Sequence, residues 1–388
     1  MLVMKFGGTS VQDAQAILRV VDIVRGRLAE KPLVVVSAFA RVTRELVSLA
    51  ADAREGKDAA VRDRVEALRQ RHLDTAEALL KDNAGLLEET AGKVEALCDA
   101  LRRFALGLCR SGELSSRSEA RILSHGELLS SLVVCAALRA GGLDCGWLDA
   151  REMIVTDDTF MQARPVMDRT EENIRRSVAA AEGAVLLTQG FIAATAEGAP
   201  TLLGFEGSDY SAALFGRALD ASRIEIWTDV DGIHTADPRV IADTRRIARI
   251  SYGEAAEMAR LGARVLHPLT LDPARSKGIP VWVLQSTRPD RPGTEVVPDG
   301  SVAPGVKGLA WSLDADGPSA RDWPDGAGQV SVVGIGVAAD PAVRARLRAV
   351  CGNGDFIEGP GGLSLGVPLA REEVVPAAEK LHQILFAS

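Results

Sequence analysis

From residue 2 to about residue 290, short apolar, β-branched runs alternate with longer amphipathic ones. Strand candidates are Leu2–Phe6, Leu33–Ser37, Cys145–Leu148, Ala184–Gln189, Arg223–Trp227 and Pro280–Leu284. Helical periodicity follows most of them, over Val11–Arg27, Glu127–Arg139, Asp168–Ala181 and Ser208–Leu219. Parallel strands need long crossover connections, so this alternation restricts the chain to an α/β layer fold with a mostly parallel sheet between helices. Residues 58–110 break the rhythm. They are rich in Ala, Leu, Glu, Arg and Lys with few β-branched residues, which predicts two long helices inserted into the α/β unit. A Pro/Gly-rich stretch from Arg288 to Gly305 marks the edge of that domain, and residues 313–328 read as a loop or linker. Beyond it, Val330–Val337 and Leu363–Val367 read as strands and Pro341–Val350 and Ala370–Phe386 as helices. That is an α+β module of about 60 residues, a size at which a domain is expected to dock or dimerise.

Bulk properties remove several function classes. The 388 residues suit two or three domains, and 47% hydrophobic with 25% charged residues is ordinary globular composition. No window approaches 18 consecutive apolar residues, so no membrane span is expected, and the N-terminus does not read as a signal peptide. A net charge of −8 opposes duplex nucleic-acid binding, so an anionic small molecule must be met by local positive charge. The five cysteines (Cys98, Cys109, Cys135, Cys145, Cys351) lie at irregular spacing, which fits reduced, buried thiols of a cytoplasmic protein and no metal site.

Five stretches could carry chemistry. The first strand runs into Lys5-Phe6-Gly7-Gly8-Thr9-Ser10, where glycines let backbone amides face an anion and Lys5 adds a point charge. The Walker spacing is absent, and a strand–Gly-Gly–helix is also a common structural turn. In Gly204-Phe205-Glu206-Gly207-Ser208-Asp209, Ser208 and Asp209 are natural helix N-cap candidates, and a capped helix accounts for this stretch as well as a site does. Thr228-Asp229-Val230-Asp231-Gly232 through His234 and Arg239 follows a strand, where open α/β sheets bind ligands, although Asx turns also explain it. Glu127 falls in the first turn of a helix, a position that the helix dipole favours without any ligand. Val36-Ser37-Ala38-Phe39-Ala40-Arg41-Val42-Thr43 is a strand end entering a helix.

In this order and spacing the motifs KFGGTS, VVVSA…VT, GELLSS, GSDYSAA, WTDVDGI.TADPR, ISYGEA and GARVLHP resemble the aspartate kinases of the amino-acid-kinase superfamily. The resemblance covers roughly residues 2–295. It implies an amino-acid-kinase-type sandwich over 1–295, a linker over 296–328 holding a remnant of a first ACT unit at Val306-Lys307-Gly308-Leu309, and one ACT-like domain over 329–388. It further implies ATP as cofactor, Mg²⁺ carried by the ATP with no protein metal site, an amino-acid substrate, a homodimer, and β-aspartyl phosphate as product. Lys5 and Asp209 would be catalytic. Gly7, Gly8, Ser10 and Arg264 would bind phosphate, and Thr228, Asp229, Asp231, His234 and Arg239 the nucleotide. Ser37, Arg41, Thr43, Glu127, Phe205, Glu206 and Ser208 would surround the acceptor, with Glu127 matching its ammonium. A carboxylate acceptor is already ionised at neutral pH, so transfer needs positioning and charge neutralisation and no general base. No Ser–His or Cys–His couple stands among these motifs.

The chain departs from the family at the acceptor. The family's G-R-G-G-S-D loop reads Gly204-Phe205-Glu206-Gly207-Ser208-Asp209 here, so the arginine that grips the acceptor's α-carboxylate is replaced by Phe205. Arg41 stands where the family has glycine, and the displaced positive charge is expected there, gripping a carboxylate or pairing with Glu206; pointing into solvent is the alternative. Three functions therefore follow from the sequence: kinase of aspartate, kinase of another aspartate-like acid, and nucleotide-binding regulatory paralogue.

Overall fold

The computed structural model describes residues 1–204, 206–263, 268–313 and 327–386. The chain forms two units, residues 1–229 with 285–290, and residues 230–284 with 291–388. In the first unit, β1 (Leu2–Phe6), α1 (Ala14–Arg25), β2 (Pro32–Val36) and α2 (Val42–Arg54) open the α/β alternation. The insertion follows as α3 (Asp58–Leu80) and α4 (Ala84–Ser111). Next come α5 (Ser116–Leu123), α6 (His125–Ala140), β3 (Cys145–Trp147), α7 (Ala150–Met153), β4 (Val155–Thr156) and α8 (Met167–Ala180). The unit continues through β5 (Val185–Gln189), β6 (Ile192–Thr195), β7 (Pro200–Leu202), α9 (Gly207–Ala218) and β8 (Arg223–Thr228).

Five of these strands lie in the order β3-β5-β2-β1-β8, every neighbour parallel. All five residues of β1 and of β2 are buried, as expected of strands covered on both faces. Lys5, in β1, is the one charged residue of the two strands. The insertion forms as two helices; α3 buries Val61, Val65, Leu68, His72, Ala76 and Leu80, a spacing that gives one apolar face. The stretch Ser116–Ala140, α5 and α6 together, holds an 18-residue window of mean hydropathy 1.3, apolar enough to cross a membrane, yet 89% of that window is buried inside the protein. Its longer part, α6, is the core helix of this unit. Strands β4, β6 and β7 form a small sheet that periodicity did not reveal, because their two to four residues are too few to show alternation. Cys135 and Cys145 are buried free thiols with Sγ atoms 3.6 Å apart, beyond disulfide length.

The second unit contains β9 (Arg249–Ser251), α10 (Tyr252–Arg260), α11 (Pro268–Lys277), β10 (Val281–Gln285) and β11 (Thr294–Val297). It closes with β12 (Gly305–Ser312), β13 (Ala327–Ile335), α12 (Pro341–Cys351), β14 (Ile357–Glu358), β15 (Ser364–Ala370) and α13 (Arg371–Phe386). The last four strands make an antiparallel sheet in the order β12-β13-β15-β14. Val330, Val332, Leu365 and Val367 of the sheet pack with Val343 and Leu347 of α12 and Ala378 and Leu381 of α13. Residues 305–312, which the resemblance implied to be linker with a remnant of a first ACT unit, form the strand that pairs along β13 from Gly305 opposite Ile335 to Ser312 opposite Gln329. Of the expected loop, residues 314–326 lie outside the described residues, while Ala327 and Gly328 belong to β13.

One close approach positions the site. A Cβ on Gly190, just past β5, would lie 2.6 Å from Ser208 Cβ and 2.7 Å from Ser208 Cα, so only glycine lets the start of α9 abut this strand end. Gly190→Ala is expected to destabilise the protein by about 1–3 kcal/mol through overpacking. Gly92, inside α4, serves as the contrast: a Cβ there would meet nothing within 4 Å. Gly92→Ala should stabilise by about 0.5–1 kcal/mol, because alanine is the better helix former. Urea denaturation of both variants checks the opposite signs.

Candidate active site

Parallel strands β1, β2 and β5 end side by side, and their C-terminal loops line a cavity of about 590 Å³ closed by the starts of α6 and α9. This is where open parallel sheets bind ligands. The loop after β1 is tied down from both sides: Gly7 N donates to Trp227 O at 3.0 Å and Ala40 N to Gly8 O at 3.1 Å. A Cβ on Gly8 would come within 2.9 Å of Ala38 O, so the two loops meet backbone to backbone. Lys5 reaches from the buried strand into the cavity and forms an ion pair with Asp209, each side chain 11% exposed.

Asp209 and Ser208 lie in the first turn of α9 and not at its cap. The N-cap is Glu206, at φ 53°, and α9 begins at Gly207. The sequence pattern placed the cap two residues late, because the left-handed turn at Glu206 lets the helix start earlier. The helix dipole favours the carboxylate of Asp209 at this end. Of the six non-glycine residues with positive φ among the described residues, Arg41, Phe191 and Glu206 line this cavity. Backbone strain of that kind concentrates at functional sites.

Glu127 is the one fully buried acid on the cavity wall among the described residues. Gly126 lets the first turn of α6 press on the loop after β2, since a Cβ there would lie 2.9 Å from Ala38 Cβ. Glu127 is 3% exposed; its Oε1 accepts from Ala38 N at 3.2 Å, and its buried Oε2 has no partner among the described residues. Burial pushes its pKa up to about 8, against the lowering effect of the Ala38 and Glu127 N–H groups. An unpartnered buried carboxyl oxygen facing a cavity is a place for a cation. Ser130 Oγ donates to Ser37 O at 2.8 Å, and Thr43 stands in the first turn of α2, so the hydroxyls of Ser37 and Thr43 sit on anchored backbone.

The structure thus gathers Lys5, Gly8, Ser37, Arg41, Thr43, Glu127, Glu206, Ser208 and Asp209 around one cavity. Ser10 is not on its wall: its hydroxyl is buried, donating to Ser286 Oγ at 2.8 Å and close to Trp227 O at 3.3 Å. Gly7 lies next to the wall, on the Lys5 side, and holds the loop to β8. Thr228 donates to Asp229 Oδ1 at 3.1 Å at the end of β8, and Gln285 Nε2 donates to Asp229 O at 2.9 Å.

Asp231, His234 and Arg239 belong to the second unit. There His234 Nε2 donates to Asp231 Oδ1 at 2.7 Å and Arg291 Nη1 to Asp231 Oδ2 at 2.9 Å. Burial raises the Asp231 pKa, but the His234 and Arg291 hydrogen bonds outweigh it and hold the carboxyl below the usual range. Arg239, exposed, forks onto Asp237 with Nη2 at 2.7 Å. Phe205 and Arg264 lie outside the described residues.

Sequence reasoning missed Met161, Gln162 and Phe191 on the cavity wall, and gave no role to Phe39 and Gly204 inside its motifs. Phe191 had a signal, its place just beyond β5; Met161 and Gln162 had none, since they sit in an irregular loop. A second cavity of about 340 Å³ between α4 and α6 is lined by Leu86, Leu97, Leu128, Leu132 and Trp147 and gathers no strand-end loops.

The amino acid kinase family model matches residues 1–285. The chain is 40% identical over 297 residues to lysine-sensitive aspartokinase 3 of Escherichia coli, covering 76% of this chain and 64% of that one. It is 35% identical over 313 residues to the aspartokinase of Chlamydia muridarum, covering 80% of this chain and 67% of that one. The chain therefore spans just under two thirds of the length of the Escherichia coli relative. Among solved structures it matches E. coli aspartokinase III in complex with aspartate and ADP, with a TM-score of 0.83, 30% identity and 100% of both chains covered. The lysine and aspartate complex of that enzyme matches with a TM-score of 0.84 at 29% identity, covering 100% of this chain and 99% of that one. By motif, sequence and fold, this chain belongs to the amino acid kinase family and, within it, to the aspartokinases.

Proposed function

We propose that the protein transfers the γ-phosphoryl group of ATP to the side-chain carboxylate of an amino acid, with L-aspartate giving β-aspartyl phosphate and ADP. The observation that carries this reading is one cavity holding the Lys5–Asp209 pair together with the unpartnered oxygen of Glu127. A lysine beside glycine backbone and a helix start suits phosphate, and a buried carboxyl suits an ammonium. In the transfer, an acceptor carboxylate oxygen bonds to the γ-phosphorus as the bridging bond to ADP breaks. The acceptor has no proton to lose, so the chain's work is positioning and neutralisation. When bound, ATP supplies the phosphoryl group and brings Mg²⁺ on its phosphates. Among the described residues, no group of three His, Cys, Asp or Glu could hold a metal ion.

In this reading Lys5 neutralises charge on the transferred group, Asp209 holds Lys5 in place, and Gly7 and Gly8 leave room for phosphate oxygens. Thr43, Ser37 and Ser208 hydrogen-bond the acceptor, and Glu127 pairs with its ammonium. Thr228, Asp229, Asp231, His234 and Arg239 contact the nucleotide, and the active form is a homodimer. Glu206 adds a further carboxylate to the cavity wall, which favours an aspartate-like acid as a second candidate acceptor.

Incubation with ATP, Mg²⁺ and a panel of amino acids, with hydroxylamine trapping of acyl phosphate, tests the reading. Aspartate hydroxamate is the expected product. Turnover with only another acid selects the second acceptor, and nucleotide binding without turnover on any acceptor refutes the kinase reading. Lys5→Met should lower kcat by about 10²–10³-fold, the scale of losing one charge-stabilising group.

Glu127 gives a pH prediction. Its folded pKa, about 8, lies above the ordinary glutamate value of 4.5, so at neutral pH the folded protein holds a proton that the unfolded chain has released. Its contribution to stability is therefore full below pH 4.5 and falls as pH rises to about 8. Relative to wild type, Glu127→Gln should gain stability across that window, measured by urea denaturation at several pH values. An ammonium favours the ionised carboxylate, so acceptor binding at pH 7 should release a proton. Calorimetry in buffers of different ionisation enthalpy should detect that proton in wild type and miss it in Glu127→Gln.

A further inference from the structure

The cavity's charges do not balance for a zwitterionic dicarboxylate until its last cation is counted. Lys5 is committed to Asp209, and Glu127 and Glu206 are carboxylates. Arg41 is the remaining cation on the wall, and among the described residues no carboxylate pairs with it. Its backbone is also costly to hold. At φ 72° and ψ −11° it occupies the left-handed region, which glycine adopts freely and arginine does not. An arginine kept where the backbone prefers glycine points to a role for its side chain.

The second observation lies on the inserted helices. Arg71 of α3 donates from Nη1 to Ala40 O at 2.9 Å and from Nη2 to Gln12 O at 3.1 Å. Its guanidinium lies 5.7 Å from the centre of the Phe39 ring, and the buried His72 stacks on the same ring at 4.6 Å and 13°. One turn of α3 thus grips the loop at Phe39 and Ala40, immediately before Arg41. Burial and then the charge of Arg41 push the Arg71 pKa down, against the raising effect of Asp13 and Glu45.

We propose that Arg41 grips the non-reacting carboxylate of the acceptor, and that Arg71, from the helical insertion, is the positioning residue that holds the Arg41 loop in its left-handed turn. The assignment rests on the acceptor reading above and narrows it. The acceptor is an amino-dicarboxylate: one carboxylate reacts beside Lys5, the ammonium meets Glu127, and the second carboxylate meets Arg41.

The test measures binding of aspartate and of its neutral α-amide by calorimetry without ATP, and acyl phosphate formation separately. Arg41→Gly relieves the backbone and removes the charge together. It should melt at or above the wild-type temperature while binding aspartate about 10- to 100-fold more weakly, the worth of a charge-assisted hydrogen bond. It should also lose the wild-type preference for aspartate over the α-amide. Arg71→Ala should raise the aspartate KM and shrink the same preference, its effect falling on KM more than on kcat, with Arg71→Lys recovering part of it.

An Arg41→Gly protein that binds aspartate as wild type does, with an unchanged preference over the α-amide, overturns the assignment. An Arg71→Ala protein that keeps the preference overturns the positioning role. Wild type that binds aspartate through Arg41 yet forms no acyl phosphate refutes the kinase reading and leaves this one standing. Wild type that does not bind aspartate overturns the Arg41 assignment, while acyl phosphate formed on another acid would leave the kinase reading standing.

Discussion

The central constraint is the burial of β1 between β2 and β8. Its five residues are all buried, and one of them is a lysine. A charge in that position is tolerable only when it is paired, because desolvating an unpaired ammonium costs several kcal/mol. Asp209 meets that need from the first turn of α9, and α9 can come so close only because Gly190 has no side chain. The sheet order, the helix start and one glycine are therefore parts of a single electrostatic requirement. The site is where that requirement is met.

The fold was legible where segments were long. The buried runs of β1 and β2, the core helix α6 and the two inserted helices all announce themselves by composition or period. Short elements did not. Strands β4, β6 and β7 are below the length at which alternation shows, and β12 was hidden by the Pro/Gly-rich segment around it. The site was legible in the same uneven way. Glycine and charge patterns marked Lys5, Gly8, Glu127 and Asp209, but the sequence could not tell a helix-dipole glutamate from a buried one. Burial separates the two, and burial is a property of the neighbours of Glu127, Ala38 above all. Ser10 shows the converse: a hydroxyl inside the motif whose hydrogen bonds go to Ser286 and Trp227.

Arg41, one of the residues at which this chain departs from the family pattern, is held by an aromatic neighbour and by a helix of the insertion. Phe39, Arg41 and Arg71 are far apart in any motif, yet the packing of α3 brings the last against the loop that carries the first two. An insertion that looks like decoration in the sequence thereby bears on the shape of the cavity at the strand ends.

The chain enters and leaves its second unit in a way that matters for dissecting the gene. Ala236 and Ile241 share one apolar core with Leu309, Val330 and Leu381, and Thr235 Oγ1 lies 2.9 Å from His382 Nε2. Glu254 closes a capping box at the start of α10 and also accepts from Ile335 N at 3.0 Å. A truncation after the Pro/Gly-rich stretch would look, from domain boundaries alone, like the removal of a dispensable tail. It would instead strip the apolar cover from residues near 240 and take the Ile335 N–H from one oxygen of the buried Glu254 carboxylate. Minimal fragments of this protein should therefore be sought by redesigning that exposed face, not by clipping the C-terminus.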